Sequence, residues 1–178
     1  ENRKEELLEA LSNITETYLN FWKGLKEAGA DGLFLAGVSW ARDGYATEEE
    51  WRTFVEPFDK RITEAIQADG GIVMYHTCGI KSNPQRFVDY NLDILHWDQG
   101  AENNPSIKEA YEFLKPVTPM GGVDEMLFGN DEEVEIARQA EEAIKANKDI
   151  PFILAPYCSV SVQSSDKELR AFRDSVEK

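Results

Sequence analysis

The sequence predicts an α/β fold built on a parallel five-stranded sheet, and three observations carry that prediction. Five short apolar segments alternate with segments of helical periodicity along the whole chain. The apolar segments run without alternation, as in Gly32-Leu33-Phe34-Leu35-Ala36, which marks strands covered on both faces. Strands separated by helices need crossover connections, and these are right-handed and make neighbouring strands parallel.

Taken in order, Leu7, Leu11, Ile14, Tyr18, Trp22 and Leu25 recur at helical spacing and predict a helix over 5–28, which Gly29 ends. The first strand follows at 32–36, and 37–46 reads as irregular. Thr47 with Glu50 three residues on forms a capping box for a helix running to about 68, kinked or divided by Pro57. A second strand is predicted at 71–75, a short helix at 84–90, a third strand at 93–97 and a helix at 107–114. The fourth strand is placed at 117–121, a helix capped by Asn130 at 131–146, the fifth strand at 151–155 and a last helix from about 166. No internal repeat, low-complexity tract or long linker divides the chain, so residues 1–178 read as a single domain.

Composition narrows the function classes. With 178 residues and 42% hydrophobic content the chain can bury a substantial core. A formal charge of -15 repels phosphate backbones and anionic membranes, which argues against nucleic-acid and membrane partners. There is no bilayer-length apolar run and no secretion signal, so a cytoplasmic protein is expected. The acidic run Glu132, Glu133, Glu135, Glu141, Glu142 reads as a solvated helix face.

Five strands leave two architectures open. One is an open sheet of the flavodoxin type; the other is the last five strands of a TIM-type barrel, whose eight β/α units need about 250 residues. The opening on a long helix, without methionine, suits the second. Gly37-Val38-Ser39-Trp40, after the first strand, is not a glycine-rich phosphate-binding turn.

Chemistry concentrates in two segments. His76 and Cys78 lie in Tyr75-His76-Thr77-Cys78-Gly79, Cys158 lies in Ala155-Pro156-Tyr157-Cys158, and each segment follows an apolar strand run. Ligands in parallel α/β folds gather at the ends of strands. One imidazole and two thiolates suit zinc, and three protein ligands leave a fourth position open. Two bland readings compete: buried cysteines that only pack, and a Cys78–Cys158 disulfide.

Ala30-Asp31-Gly32-Leu33-Phe34-Leu35-Ala36 with Trp40, Thr47-Glu48-Glu49-Glu50-Trp51 leading to Val55-Glu56-Pro57, His76-Thr77-Cys78-Gly79, Gly121-Gly122-Val123-Asp124 and Ala155-Pro156-Tyr157-Cys158 occur in family order and spacing. Together they resemble the uroporphyrinogen decarboxylase superfamily. Within it the His-x-Cys pair and the later cysteine resemble the corrinoid-dependent methyltransferases, among them the methylcobamide:coenzyme M enzymes.

The resemblance implies a TIM-type (β/α)8 barrel of which this chain is the C-terminal five β/α units, with zinc at its mouth on His76, Cys78 and Cys158. It also implies a displaceable fourth ligand, either a carboxylate or the substrate thiol. Asp98 is the preferred carboxylate and Glu102 the second choice. The partners it implies are a small thiol and a corrinoid (cobalamin) carried on a separate protein. Two thiolates and a neutral imidazole cancel the ion's charge, so an added substrate thiolate makes the centre anionic and keeps its sulfur nucleophilic.

Asp98 and His96 are the candidate catalytic residues, His96 to orient substrate or hydrogen-bond a zinc ligand, with structural roles as the competing reading. Trp40, Trp51 and Trp97 could line a cofactor surface, with packing as the competing reading, and Asp124 would lie near the mouth. Two other readings stand beside the methyltransferase. One is a metal-independent decarboxylase acting on a tetrapyrrole; the other is a non-catalytic half-barrel whose open edges pair with another copy or with the rest of a barrel.

Overall fold

The computed structural model describes residues 3–176. Helix α1, Lys4–Glu27, leads into β1, Gly32–Ala36, and a 3-10 turn over Val38–Ala41 occupies the irregular segment. Helices α2, Glu48–Phe54, and α3, Glu56–Ala68, divide the expected helical segment in two, one of the two outcomes that Pro57 predicts. The break falls at Val55, because Pro57 in the first turn of α3 has no N–H to continue α2. Thr47 and Glu50 make the reciprocal capping box that their spacing predicts.

Strand β2, Ile72–Thr77, is followed by β3, Ile94–Trp97, then α4, Ile107–Leu114, and β4, Thr118–Val123. Helix α5, Glu133–Ala146, strand β5, Ile153–Pro156, and helix α6, Asp166–Asp174, complete the chain. No described helix is long and apolar enough to cross a membrane.

All four strand pairings are parallel, and the spatial order is β1-β2-β3-β4-β5. That order separates the two architectures. A flavodoxin-type sheet runs 2-1-3-4-5 and winds in both directions, whereas a barrel adds each strand beside the last. The sheet is an α/β arc of the barrel type.

One face of the arc packs against helices. Val73, Tyr75, Leu95, Trp97 and Val123 are each at most 1% exposed. Tyr75 is the centre of an aromatic cluster with Phe87 and Tyr90, and Trp51 meets the Phe87 ring edge-on at 5.4 Å. The Tyr75 hydroxyl donates to Asp59 at 2.5 Å, and burial pushes that carboxyl up to about 6. The opposite face is only partly covered, since Phe34, Ile72 and Ile153 are 51%, 49% and 37% exposed. The double coverage expected of β1 is therefore corrected: Gly32, Leu33 and Leu35 are half-buried, and Phe34 and Ala36 are exposed.

Other boundaries move for identifiable reasons. Strand β2 runs to Thr77, past the expected end at 75, because His76 and Thr77 pair with His96 and Trp97 in the ladder. The short helix expected at 84–90 is a 3-10 turn over Pro84–Phe87. Asn130 does not cap α5. Instead Glu168 of α6 accepts the N–H groups of Gly129, Asn130 and Asp131, while it closes a capping box with Ser165 on its own helix.

Candidate metal centre

The crossovers bring the C-terminal ends of β2 and β5 together, and three side chains converge there. His76 is the penultimate residue of β2, Cys78 is the first residue beyond that strand, and Cys158 lies two residues beyond β5. The Cys78 and Cys158 sulfurs are 3.5 Å apart, and Cys158 Sγ lies 3.8 Å from His76 Nε2. The ligand atoms of all three fall within 4.8 Å of one another.

Curvature makes this possible. In a flat sheet three strand spacings would separate β2 from β5 by about 14 Å, with parallel side chains that could not meet. Contact requires the sheet to curl and the loops at its C-terminal edge to lean inward.

The donor spacing can be compared with an ion's requirements. Tetrahedral zinc with sulfur at about 2.3 Å and nitrogen at about 2.0–2.1 Å places its ligands about 3.8 Å (S···S) and about 3.6 Å (S···N) apart. The two spacings in the protein agree with these to within about 0.3 Å, a difference that small side-chain rotations absorb. Two sulfurs joined as a disulfide would lie about 2.05 Å apart. Both cysteines are free.

Electrostatics prepares the imidazole and not the thiol. Burial, and then the neighbouring His96 charge, push the His76 imidazole down to about 4, against a backbone contact with His96 that raises it. His76 is therefore neutral at pH 7, the form that ligates. Burial pushes the Cys78 thiol up to about 11, helped by its contact with Cys158 and opposed by Arg42. Cys78 thus holds its proton at neutral pH.

Arg42, from the turn after β1, donates from Nε to the Cys78 carbonyl at 2.7 Å. Its guanidinium lies against Gly79, whose φ of +79° favours glycine; a Cβ there would come within 2.2 Å of Nη2 and displace the guanidinium.

The remaining predicted residues have distinct places. His96 is 6% exposed, its ring 4.6 Å from that of His76, with Nε2 at 2.7 Å from the Pro156 carbonyl oxygen. Asp98 stands at the end of β3 and accepts the N–H groups of Gly100 and Ala101 through Oδ1, both at 2.9 Å. Glu102 is exposed in the same loop. Neither carboxylate belongs to the group of three.

Asp124 caps the 3-10 turn Glu125–Leu127 just beyond β4. With Asp98 and Glu125 it gives this flank a negative potential, and burial, reinforced by these three charges, raises the Tyr157 hydroxyl. Trp40 is exposed, meets Tyr45 edge-on, and lines a separate apolar cleft of about 510 Å³ with residues of α1, α2 and α3. None of the three candidate ligands lines that cleft. Trp51 and Trp97 are buried in the core.

Sequence reasoning missed Arg42 and the bond from His96 to Pro156. Arg42 falls in a segment that reads only as irregular, and the His96 bond joins residues 60 positions apart. Compared with known proteins, residues 2–178 match the family model described as uroporphyrinogen decarboxylase (URO-D). No curated protein matches the chain.

Proposed function

The chain belongs to the uroporphyrinogen decarboxylase family, and from that premise we propose that it is a zinc-dependent methyltransferase, moving a methyl group from a methylated corrinoid on a separate protein to a small thiol. The observation that carries the reading is the spacing of His76, Cys78 and Cys158, with sulfurs 3.5 Å apart and a sulfur–nitrogen distance of 3.8 Å.

These three residues would hold the ion. Bound zinc would supply a Lewis acid that keeps an acceptor thiol deprotonated at neutral pH, where a free thiol with a pKa of about 8.5 is mostly protonated. Cys78 and Cys158 contribute two negative charges that offset the ion, and His76 contributes a neutral nitrogen. A site so balanced leaves an added thiolate electron-rich. Asp98 is proposed for the fourth position until substrate displaces it, since its loop hydrogen bonds use Oδ1 alone.

The family description favours a second reading, decarboxylation of a tetrapyrrole, which calls for no metal. Elemental analysis separates the two. One zinc per chain, lost in Cys78→Ser and in Cys158→Ser, with thiol-dependent consumption of methylcobalamin followed by its absorbance, is the expected result. A protein without zinc, or zinc retained in both variants, would overturn the methyltransferase reading.

A further inference from the structure

We propose that the apolar cleft beside Trp40 is a binding site for a small organic cation, an alkylated ammonium. The cleft lies apart from the candidate metal centre, and the inference does not depend on the methyltransferase reading.

At about 510 Å³ the cleft has the size of a small-molecule site, and its walls come from α1, α2, α3 and the turn after β1. Five of its lining side chains are aromatic: Tyr18, Trp40, Tyr45, Phe54 and Phe58. Trp40 and Tyr45 meet at 5.3 Å with their planes at 89°, so the rim presents ring surface in two directions. Both are exposed, and a guest seated against them would remove apolar area that the fold leaves in water.

Charge selects the guest. Glu50 and Asp59 line the same cleft, and no lysine, arginine or histidine does. The capping bonds of Glu50 with Thr47 use Oε2, and the bond from the Tyr75 hydroxyl to Asp59 uses Oδ2, which leaves one oxygen of each carboxylate for a guest. An anion is repelled there, and a neutral guest would desolvate both carboxylates without pairing them. A metal ion needs several oxygen ligands in place of its water, which ring walls do not offer. An alkylated ammonium suits both parts of the lining, its methyl surface against ring faces and its charge opposite the carboxylates. Asp59 also carries a cost that a cation would offset: burial raises its carboxyl to about 6, and groups so perturbed beside a cleft tend to be functional.

The test compares choline with its neutral isostere 3,3-dimethylbutan-1-ol at pH 8, in about 0.15 M salt to screen the acidic surface. Calorimetry reads affinity, and the indole N–H signals of ¹⁵N-tryptophan-labelled protein read location, with the buried Trp22, Trp51 and Trp97 as internal controls. Choline should bind saturably and shift the Trp40 signal alone, and the alcohol should bind at least about tenfold more weakly. Trp40→Leu and Asp59→Asn should each weaken choline binding about 3- to 10-fold. Asp59→Asn changes one of 34 acidic residues, so a general attraction to the surface would not register it.

Equal affinity for the two probes overturns the proposal, as does choline binding that is unchanged in either variant. So does a chain that binds neither probe, including one whose cleft is filled by a second copy, which Trp40→Leu would reveal by weakening self-association. Every readout is available with or without zinc, so failure here leaves the metal centre untouched, and a protein without zinc leaves this cleft untouched.

Discussion

The affinity of the centre for zinc should rise steeply with pH, and the structure sets how steeply. Cys78 has its thiol pushed up to about 11, chiefly by burial, so between pH 6 and 9 it binds metal only by releasing a proton. The protonated thiol is the competitor, and its advantage weakens about tenfold with each unit of pH gained. His76, held down to about 4, is already neutral across this window and adds nothing to the slope. Cys78 alone therefore imposes a slope of about one decade of affinity per pH unit. The slope depends only on the thiol lying above the window, not on how far above. Competition against a chromophoric chelator, corrected for the chelator's own protonation, measures it directly. Cys78→Ser should bind far more weakly and lose about one decade per unit of the dependence. A wild-type affinity flat from pH 6 to 9 would refute metal ligation by the Cys78 thiolate.

Three further outcomes are expected. Asp98→Asn keeps the loop hydrogen bonds of Oδ1 but removes the charge, so it should fold normally and bind zinc more weakly without losing it; unchanged affinity would remove Asp98 from the fourth position. The Asp59 carboxyl is raised from 3.8 to about 6, mainly by burial, so its ionisation opposes folding. Its favourable contribution is complete below pH 4 and is lost as pH rises through 6; at pH 7 Asp59→Asn should be more stable than wild type by up to about 3 kcal/mol in urea titrations, with the difference gone at pH 4. Finally, β1 and β5 are open edges, and Phe34, Ile72 and Ile153 are exposed on the uncovered face. This chain should associate with increasing concentration in sedimentation velocity, and Phe34→Ser should weaken the association; a clean monomer at high concentration would count against it.

What was legible in the sequence follows the range of the interactions involved. Apolar runs reveal β1, β2 and β5 directly, because burial of a strand is written in its own residues, whereas β4, Thr-Pro-Met-Gly-Gly-Val, follows from the alternation of elements. The box at Thr47 and the break near Pro57 are equally local. Strand ends are less legible: His76 and Thr77 look like loop residues but extend β2, since their pairing to His96 and Trp97 comes from another strand. Asn130 reads as a cap by composition, yet α5 begins only at Glu133 with no side-chain cap, and the Asn130 N–H is itself taken by Glu168, 38 residues away. The three candidate ligands stood out because the chain has only two cysteines and two histidines. Scarcity and position at strand ends were enough to nominate them, but nothing local in the sequence shows the Arg42 contact behind Cys78.

The fold and the site make one claim about geometry. Cys78 and Cys158 belong to segments three strands apart, and their sulfurs touch at 3.5 Å only because the sheet curls and its end loops fold inward. The His96 bond to Pro156 spans two strand spacings, about 9–10 Å in a flat sheet, and needs the same curvature. Three groups on β2 and β5 with a fourth on β3 thus measure the arc independently of its ladder hydrogen bonds. A flatter open sheet with the same strand order would keep every apolar run and every cap, and would still separate the ligands. The convergence of the three candidate donors depends on strand order and curvature together.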